Sequence, residues 1–335
     1  MIVKPDNGGP ASHVSAAPEP IGSGPAASEG SGRDPVDDYI YLIGRPTLRQ
    51  FLDFVKHRSR DGRRADLGLM TDEWREAARR VLQLETEEAG AADRPAIQSL
   101  PKSMESLRQE FMRDPLVQHG YNTFPTQLGV VELDRLTVFQ PHIDLSFVRL
   151  LKTRLGPAPG PEEVFRFCLP FDHPEPPVRW ARSHHDTYVF TSPSNDLRFL
   201  GCMALQPENV SGYPLPGVLV GVLGLAVGFC SNFLSLICVD DRLIMHNGSH
   251  RAYTLRELGI THAPALIQHV YSREEFNTIA SSAVLRQGET YLKHRRPPML
   301  KDYFDPRLHK VIPVIRRLRQ VTVKFQVDEA YVPVL

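Results

Sequence analysis

The chain has few cysteines and no excess of either charge. Four cysteines are spread through 335 residues, and 39 Lys and Arg balance 39 Asp and Glu. Since there is no Cys-x-x-Cys pair, a zinc ribbon is not indicated, and the apolar neighbours of each cysteine predict buried reduced thiols. Proteins that coat DNA by neutralising its phosphates usually carry a basic excess, so the balanced charge argues against that class.

Two common catalytic motifs are also missing. The sequence contains no Gly-x-x-x-x-Gly-Lys-Ser/Thr loop and no Gly-x-Ser-x-Gly turn. The first motif holds phosphates in Walker ATPases, and the second presents the nucleophile of α/β-hydrolases. Both enzyme classes are therefore disfavoured.

The N-terminus lacks the apolar stretch of a secretory signal. Residues 1–36 are rich in Gly, Pro, Ala and Ser. A segment of this composition buries too little apolar surface to offset its ordering entropy, so a disordered tail is predicted. With reduced thiols and no signal, the expected location is the cytoplasm.

One apolar stretch, residues 218–239, has about the length of a membrane span. Ser231 and Asn232 interrupt it, and Asp240 and Asp241 follow it without a basic flank. We expect a buried strand followed by a core helix from Ser231 to Ile237. No membrane association is predicted.

The organisation changes near residue 126. Residues 37–125 show helical periodicity, with one apolar face on a first helix and Thr71 as the expected N-cap of a second. Strand-like and helical patterns then alternate over 126–275, with a loop-rich insertion at about 156–215. Together they predict an α+β fold whose N-terminal unit is helical.

The most informative segment runs from Leu243 to Gly259. A strand-like run ends at a tight polar turn at Asn247 and Gly248, and a helix then begins with His250 and Arg251. A second strand-like run follows. The free N–H groups of a first helical turn attract anions, and an arginine adds a forked cationic donor. A phosphate site is one interpretation; a structural turn is the other.

This segment resembles the second box of the ParB/sulfiredoxin superfamily. The stretch NGSHRAYTLRELGITHAPALI is similar to that box, with Gly248-Ser249-His250-Arg251 nearest to the Gly-Cys-His-Arg turn of sulfiredoxins. Val131 to Pro141 looks like the first box, with its Gln-Pro turn. Ser249 replaces the sulfiredoxin cysteine, which argues against thiol-based repair. The resemblance covers roughly 126–275 and implies a mixed sheet core.

The resemblance also implies nucleotide phosphate binding, with ATP or CTP and magnesium as the expected ligand. The residues expected to cradle the phosphates are Asn247, Gly248, Ser249, His250 and Arg251. Phosphoryl transfer also needs a base for the acceptor. Glu132 and Asp134, on the first-box strand, are the candidates for it, and His250 is a third candidate catalytic residue.

The C-terminal segment, 276–335, is basic and ends in a strand-like pattern. Between Arg286 and Arg319 there are ten Lys and Arg but three acidic residues. A protein partner is one interpretation, and pairing with acids of the same chain is the other. The segment lacks the interleaved aromatics of a base-stacking surface, which again argues against DNA.

Three functions remain open at this point. The first is an ATP- or CTP-dependent phosphotransferase or nucleotide hydrolase. The second is a nucleotide-responsive regulatory or interaction protein without catalysis. The third is a structural protein that retains the fold without the ligand. The sequence does not distinguish them, and it does not indicate an oligomeric state.

Overall fold

The computed structural model describes residues 35–173, 175–206, 217–280, 282–286 and 288–333. Nearly all of the predicted tail, 1–36, lies outside these residues. The described chain combines helices with mixed and antiparallel sheets, so the α+β class is confirmed. It divides into two compact units. The core unit takes in the described residues of Ser31–Glu175 and Cys230–Arg317, and the sheet unit those of Pro176–Phe229 and Leu318–Leu335.

The core unit contains all ten α-helices of the described residues. In chain order its elements are β1 (Val36–Leu42), α1 (Leu48–Arg58), α2 (Leu67–Glu87), β2 (Ile97–Gln98), α3 (Glu105–Met112), α4 (Pro115–Gly120), β3 (Thr126–Glu132), β4 (His142–Asp144), α5 (Leu145–Leu155), α6 (Pro161–Cys168), β9 (Ser235–Val239), β10 (Arg242–Asn247), α7 (Ser249–Glu257), β11 (His262–His269), α8 (Arg273–Ile279), α9 (Ser282–Arg286), α10 (Gly288–Leu292) and β12 (His309–Ile315). The sheet unit contains β5 (Arg179–His184), β6 (Thr187–Ser192), β7 (Leu197–Leu205), β8 (Val222–Phe229) and β13 (Arg319–Lys324).

A five-stranded mixed sheet organises the core unit. Its strand order is β10-β9-β11-β3-β2, with β11 parallel to β9 and antiparallel to β3. Residues 263–267 of β11 are all buried. A strand covered on both faces reads as a continuous apolar run, which is why this segment shows no alternation.

A three-stranded sheet, β12-β1-β4, separates two apolar clusters. Ile40 and Leu42 of β1 join the main core, while Tyr41 packs with Phe51 and Val55 of α1. Successive side chains of a strand point to opposite faces, so β1 serves both clusters. Phe51 and Val55 are buried, as the predicted apolar face of the first helix requires.

The start of α2 differs from the prediction. The helix begins at Leu67, and the Asp66 carboxylate accepts hydrogen bonds from the N–H groups of Gly68 at 2.9 Å and Leu69 at 3.1 Å. Thr71 lies within the first turns and donates its hydroxyl to the Leu67 carbonyl at 2.7 Å. The prediction of Thr71 as N-cap was wrong, because an aspartate five residues earlier already caps the helix.

The two units also divide the chain differently from the predicted ranges. The predicted helical unit, 37–125, contributes most of β1, whose Asp37 is paired with Val314 of β12. The basic segment, 276–335, supplies β12 to the core unit and β13 to the sheet unit. Pairing over such a sequence distance leaves no local pattern, so composition alone does not place these boundaries.

The basic C-terminal segment is largely paired within the chain. Six of the ten Lys and Arg between Arg286 and Arg319 form ion pairs with acids of the same chain: Lys293, Arg296, Lys301, Arg307, Lys310 and Arg316. Arg296 and Asp302 are both 1% exposed and form a buried pair, to which Glu88, the C-cap of α2, adds a 2.8 Å contact. These contacts support the interpretation in which most of these basic residues pair with acids of the same chain.

The sheet unit consists of two small antiparallel sheets, β13-β6-β5 and β7-β8. The stretch 218–239 is split between the units, as β8 in one and β9 in the other. The predicted core helix from Ser231 to Ile237 was wrong, because a short buried apolar run fits a strand as well as a helix. Val218 is 94% exposed, so the first part of the stretch is not core. No helix among the described residues is long and apolar enough to cross a membrane.

Candidate functional site

The turn between β10 and α7 is held by Asn247 and Gly248. The side-chain oxygen of Asn247 accepts the Gly248 N–H at 2.8 Å, and its Nδ2 donates to the Ser231 carbonyl at 2.9 Å. Gly248 has a φ of +92°, in the left-handed region, and a Cβ there would lie 2.8 Å from the Leu234 Cα. Both the conformation and the close approach of Leu234 require glycine.

The helix begins directly after this glycine. The first backbone bond of α7 runs from the Ala252 N–H to the Gly248 carbonyl at 2.9 Å. The N–H groups before Ala252 therefore have no partner within the helix and form its positive end. No acidic residue lies in the first turn of α7. The helix start is thus rich in hydrogen-bond donors and carries no carboxylate of its own.

Arg251 is oriented by residues from distant segments. Its Nη1 donates to Oδ1 of Asn232, and its guanidinium carbon lies 5.9 Å from the centre of the Phe167 ring. The side chain of Asn232 is a neutral amide, and this hydrogen bond helps to hold the guanidinium in place.

His250 is a neutral donor. Its Nε2 accepts the backbone N–H of Asp144 at 3.0 Å, and its ring meets that of Phe147 edge-on at 5.3 Å. Burial, with smaller contributions from His142 and Arg251, lowers the pKa of His250 to about 3. A neutral imidazole that accepts through Nε2 carries its proton on Nδ1. His250 therefore offers one N–H at neutral pH and does not supply a basic nitrogen through Nε2.

Glu132 and Asp134 lie at the other end of α7. Glu132 ends β3 opposite His262, the first residue of β11, and Asp134 accepts a 2.8 Å hydrogen bond from Nε of Arg256. A helix of nine residues is roughly 13 Å long. The structure therefore does not bring these two acids to the Gly248–Arg251 turn, because the end of β3 and the 3-10 helix after it, Leu133–Arg135, lie beside the C-terminal end of α7.

Asp144 is the acid that contacts the turn. Its backbone N–H donates a hydrogen bond to Nε2 of His250. Its carboxylate caps α5 by accepting hydrogen bonds from the N–H groups of Ser146 at 2.8 Å and Phe147 at 3.1 Å. Burial raises the pKa of this carboxyl despite those hydrogen bonds. The sequence did contain a signal for Asp144, because an aspartate directly before an apolar helix is typical of a helix N-cap. None existed for Asn232, which is 19 residues from Arg251.

The remaining predicted residue, Ser249, is 8% exposed and follows Gly248 as the first residue of α7. The consecutive residues Asn247, Gly248, Ser249, His250 and Arg251 thus form the end of β10 and the start of α7. No cluster of three or more His, Cys, Asp or Glu able to hold a metal occurs in the part of the chain that the structure describes.

Comparison of the chain with family models, with curated proteins and with solved structures gave no match in any of the three.

Proposed function

We propose that the chain binds nucleotide phosphates at the Gly248–Arg251 turn, with ATP or CTP and its magnesium as the ligand. The observation that carries the proposal is the left-handed Gly248 at the start of α7, followed within one turn by the positioned guanidinium of Arg251. Helix N-termini that follow a glycine turn bind phosphate through their free N–H groups. The arginine adds a planar, charged donor suited to phosphate oxygens.

The chemistry of the turn favours an anion over a cation or a neutral ligand. Its groups are backbone N–H donors, the guanidinium of Arg251 and the single N–H of neutral His250, and the first turn of α7 contains no acid. Since the described residues contain no cluster of metal ligands, magnesium would arrive bound to the nucleotide.

Binding without catalysis is the form of this function that the geometry favours. Both predicted bases, Glu132 and Asp134, lie beside the far end of α7. Phosphoryl transfer is the second candidate, and it is supported by Asp144, whose backbone contacts His250 and whose carboxyl pKa is raised by burial. A raised pKa makes a carboxylate a stronger base.

The test is thermal unfolding of the full chain with ATP, CTP and inorganic phosphate, each with and without magnesium. A nucleotide present at 100 times its dissociation constant stabilises the folded protein by about 2.7 kcal/mol. Stabilisation with release of phosphate supports the enzyme, and stabilisation without turnover supports the regulatory protein. If neither nucleotide shifts the melting temperature, the proposal is wrong and the structural role is favoured.

A further inference from the structure

The strand β8 is an open edge of the sheet unit. It pairs antiparallel with β7, from Leu197 opposite Phe229 to Leu205 opposite Val222, and with no other strand that the structure describes. The backbone N–H and C=O groups on its second side are therefore not paired with any strand of the described residues. Such an edge over eight residues is a template for another strand.

The side chains of β8 do not protect this edge. Residues 222–229 contain no charge and no proline, and Leu223 is 75% and Leu225 42% exposed. Soluble proteins usually block open edges with charged residues, proline or bulges. The one irregularity in this hairpin is on β7, between Phe199 and Gly201, so β8 itself remains regular.

Among the other edges of this unit, which include those of β5, β7 and β13, the edge of β5 shows a contrast. Strand β5 pairs only with β6 among the described strands, and it carries Arg179, Arg182 and His184. A second copy of β5 brought against it would place cations near cations, which destabilises strand pairing. The difference between the two edges indicates that β8 is left open for a partner.

The side chains on the two faces of β8 differ in size. Val222, Gly224, Ala226 and Gly228 alternate with Leu223, Leu225, Val227 and Phe229. On the small face, Met203 and Leu200 of β7 cover the glycines, because a Cβ at Gly224 would lie 3.1 Å from Met203 Cγ and one at Gly228 2.9 Å from Leu200 Cδ1. The large face keeps its exposed leucines.

A second copy of this strand matches both the edge and the side chains. When two copies of a strand pair antiparallel about a two-fold axis, each residue lies opposite a residue from the same face of the other copy. Large side chains therefore contact large ones, and small side chains contact small ones. The large faces then form a continuous apolar layer over both copies. No charge opposes this pairing in any register, because the strand carries none.

We propose that β8 is a dimerisation edge, through which two copies of the chain form a continuous four-stranded antiparallel sheet with the order β7-β8-β8-β7. The partner is a second copy of this chain because the outward backbone pattern of an antiparallel edge is complementary to itself. This inference does not depend on the nucleotide site.

The first experiment measures the mass of the full-length protein by sedimentation equilibrium over roughly 1 to 100 μM. We expect a concentration-dependent dimer. Leu225→Lys places a like charge from each copy at the shared edge, so it should raise the dimer dissociation constant at least tenfold. The matched control is Leu82→Lys on α2, since Leu82 is 62% exposed and the substitution adds the same charge. It should leave the dissociation constant unchanged.

The second experiment tests the pairing without adding charge. In a background with Cys202, Cys230 and Cys238 changed to serine, which keeps only the buried Cys168, one cysteine at a time is placed at 224, 225, 226 or 227 and oxidised. A two-fold axis brings one residue opposite itself, with Cβ atoms about 4.5–5.5 Å apart, while diagonal neighbours are about 7–8 Å apart. One position should therefore form an intermolecular disulfide much faster than its neighbours.

Two outcomes would overturn the inference. One is a wild-type protein that is monomeric at 100 μM. The other is a dimer that Leu82→Lys weakens as much as Leu225→Lys does and whose four cysteine variants cross-link at equal rates. Binding of the monomer to neutral phosphatidylcholine vesicles would instead assign the exposed leucines to a lipid surface.

Discussion

The backbone N–H of Asp144 donates a hydrogen bond to Nε2 of His250 at 3.0 Å, and this bond joins the end of β4 to the first turn of α7. It selects the tautomer of the imidazole, because an accepting Nε2 leaves the proton on Nδ1. It also ties the orientation of the turn to the start of α5, whose N-cap is the same aspartate. The donor character of the site therefore depends on a residue more than one hundred positions away.

The first prediction concerns pH. The pKa of His250 is lowered to about 3 and that of His142 to about 4, both mainly by burial, from an ordinary value of 6.5. Between pH 6.5 and these lowered pKa values, the two histidines bind more protons in the unfolded chain than in the folded one. The free energy of unfolding therefore decreases as pH falls below 6.5. Chemical unfolding at pH 7, 6 and 5 should show a progressive loss of stability.

The control is His250→Gln, which keeps an acceptor near the position of Nε2 but does not titrate. It should reduce the loss between pH 7 and 5 and leave the contribution of His142. If wild type and variant lose the same stability over this range, His250 is not held neutral in the folded protein.

The second prediction compares two arginines of the same helix. Arg251 lies in the first turn of α7, and Arg256 lies near its end, paired with Asp134. A charge-assisted bidentate hydrogen bond contributes about 1.5–3 kcal/mol, so Arg251→Ala should weaken nucleotide binding roughly ten- to a hundredfold. Arg251→Lys should restore part of the affinity, because an ammonium lacks the planar fork.

Arg256→Ala removes the same charge from the same helix and should leave the affinity nearly unchanged, as should Asp134→Asn. Isothermal titration calorimetry with the nucleotide that stabilises the wild type measures all four variants. Equal losses of affinity for Arg251→Ala and Arg256→Ala would indicate a general charge effect and exclude a specific contact at the turn.

The third prediction compares two glycines at the ends of α7. Both have positive φ, +92° at Gly248 and +82° at Gly259, but a Cβ at Gly259 meets nothing within 4 Å. Gly259→Ala should cost about 1–2 kcal/mol for the left-handed conformation alone. Gly248→Ala should cost about 1–3 kcal/mol more, because the added methyl group overlaps the backbone at Leu234. Urea unfolding of the two variants measures the difference.

The local structure of the turn could be predicted from the sequence. Strand β10 ends at Asn247, α7 runs from Ser249 to Glu257, and β11 begins at His262, close to the boundaries that the pattern indicated. Glycine turns, helix starts and apolar runs are local features, so a short window of sequence contains the interactions that form them. The same holds for the apolar face of α1.

The position of the candidate acids relative to the turn could not be predicted from local sequence patterns. Glu132 and Asp134 belong to a segment next to the helix, but which end of the helix they reach depends on the antiparallel pairing of β3 with β11. The helix expected at 231–237 was wrong for a related reason. A short apolar run is compatible with either element, and the neighbours β10 and β11 make it a strand.

The sequence by itself therefore determined the α+β class and the strand, glycine turn and helix that present His250 and Arg251. Only the tertiary structure decided which groups surround them. Asn232 and Asp144 contact the turn although they belong to distant segments. Strand β1 pairs with β12, which is separated from it by most of the chain. Such contacts depend on how the elements pack together, and the order of residues along a local segment does not specify that packing.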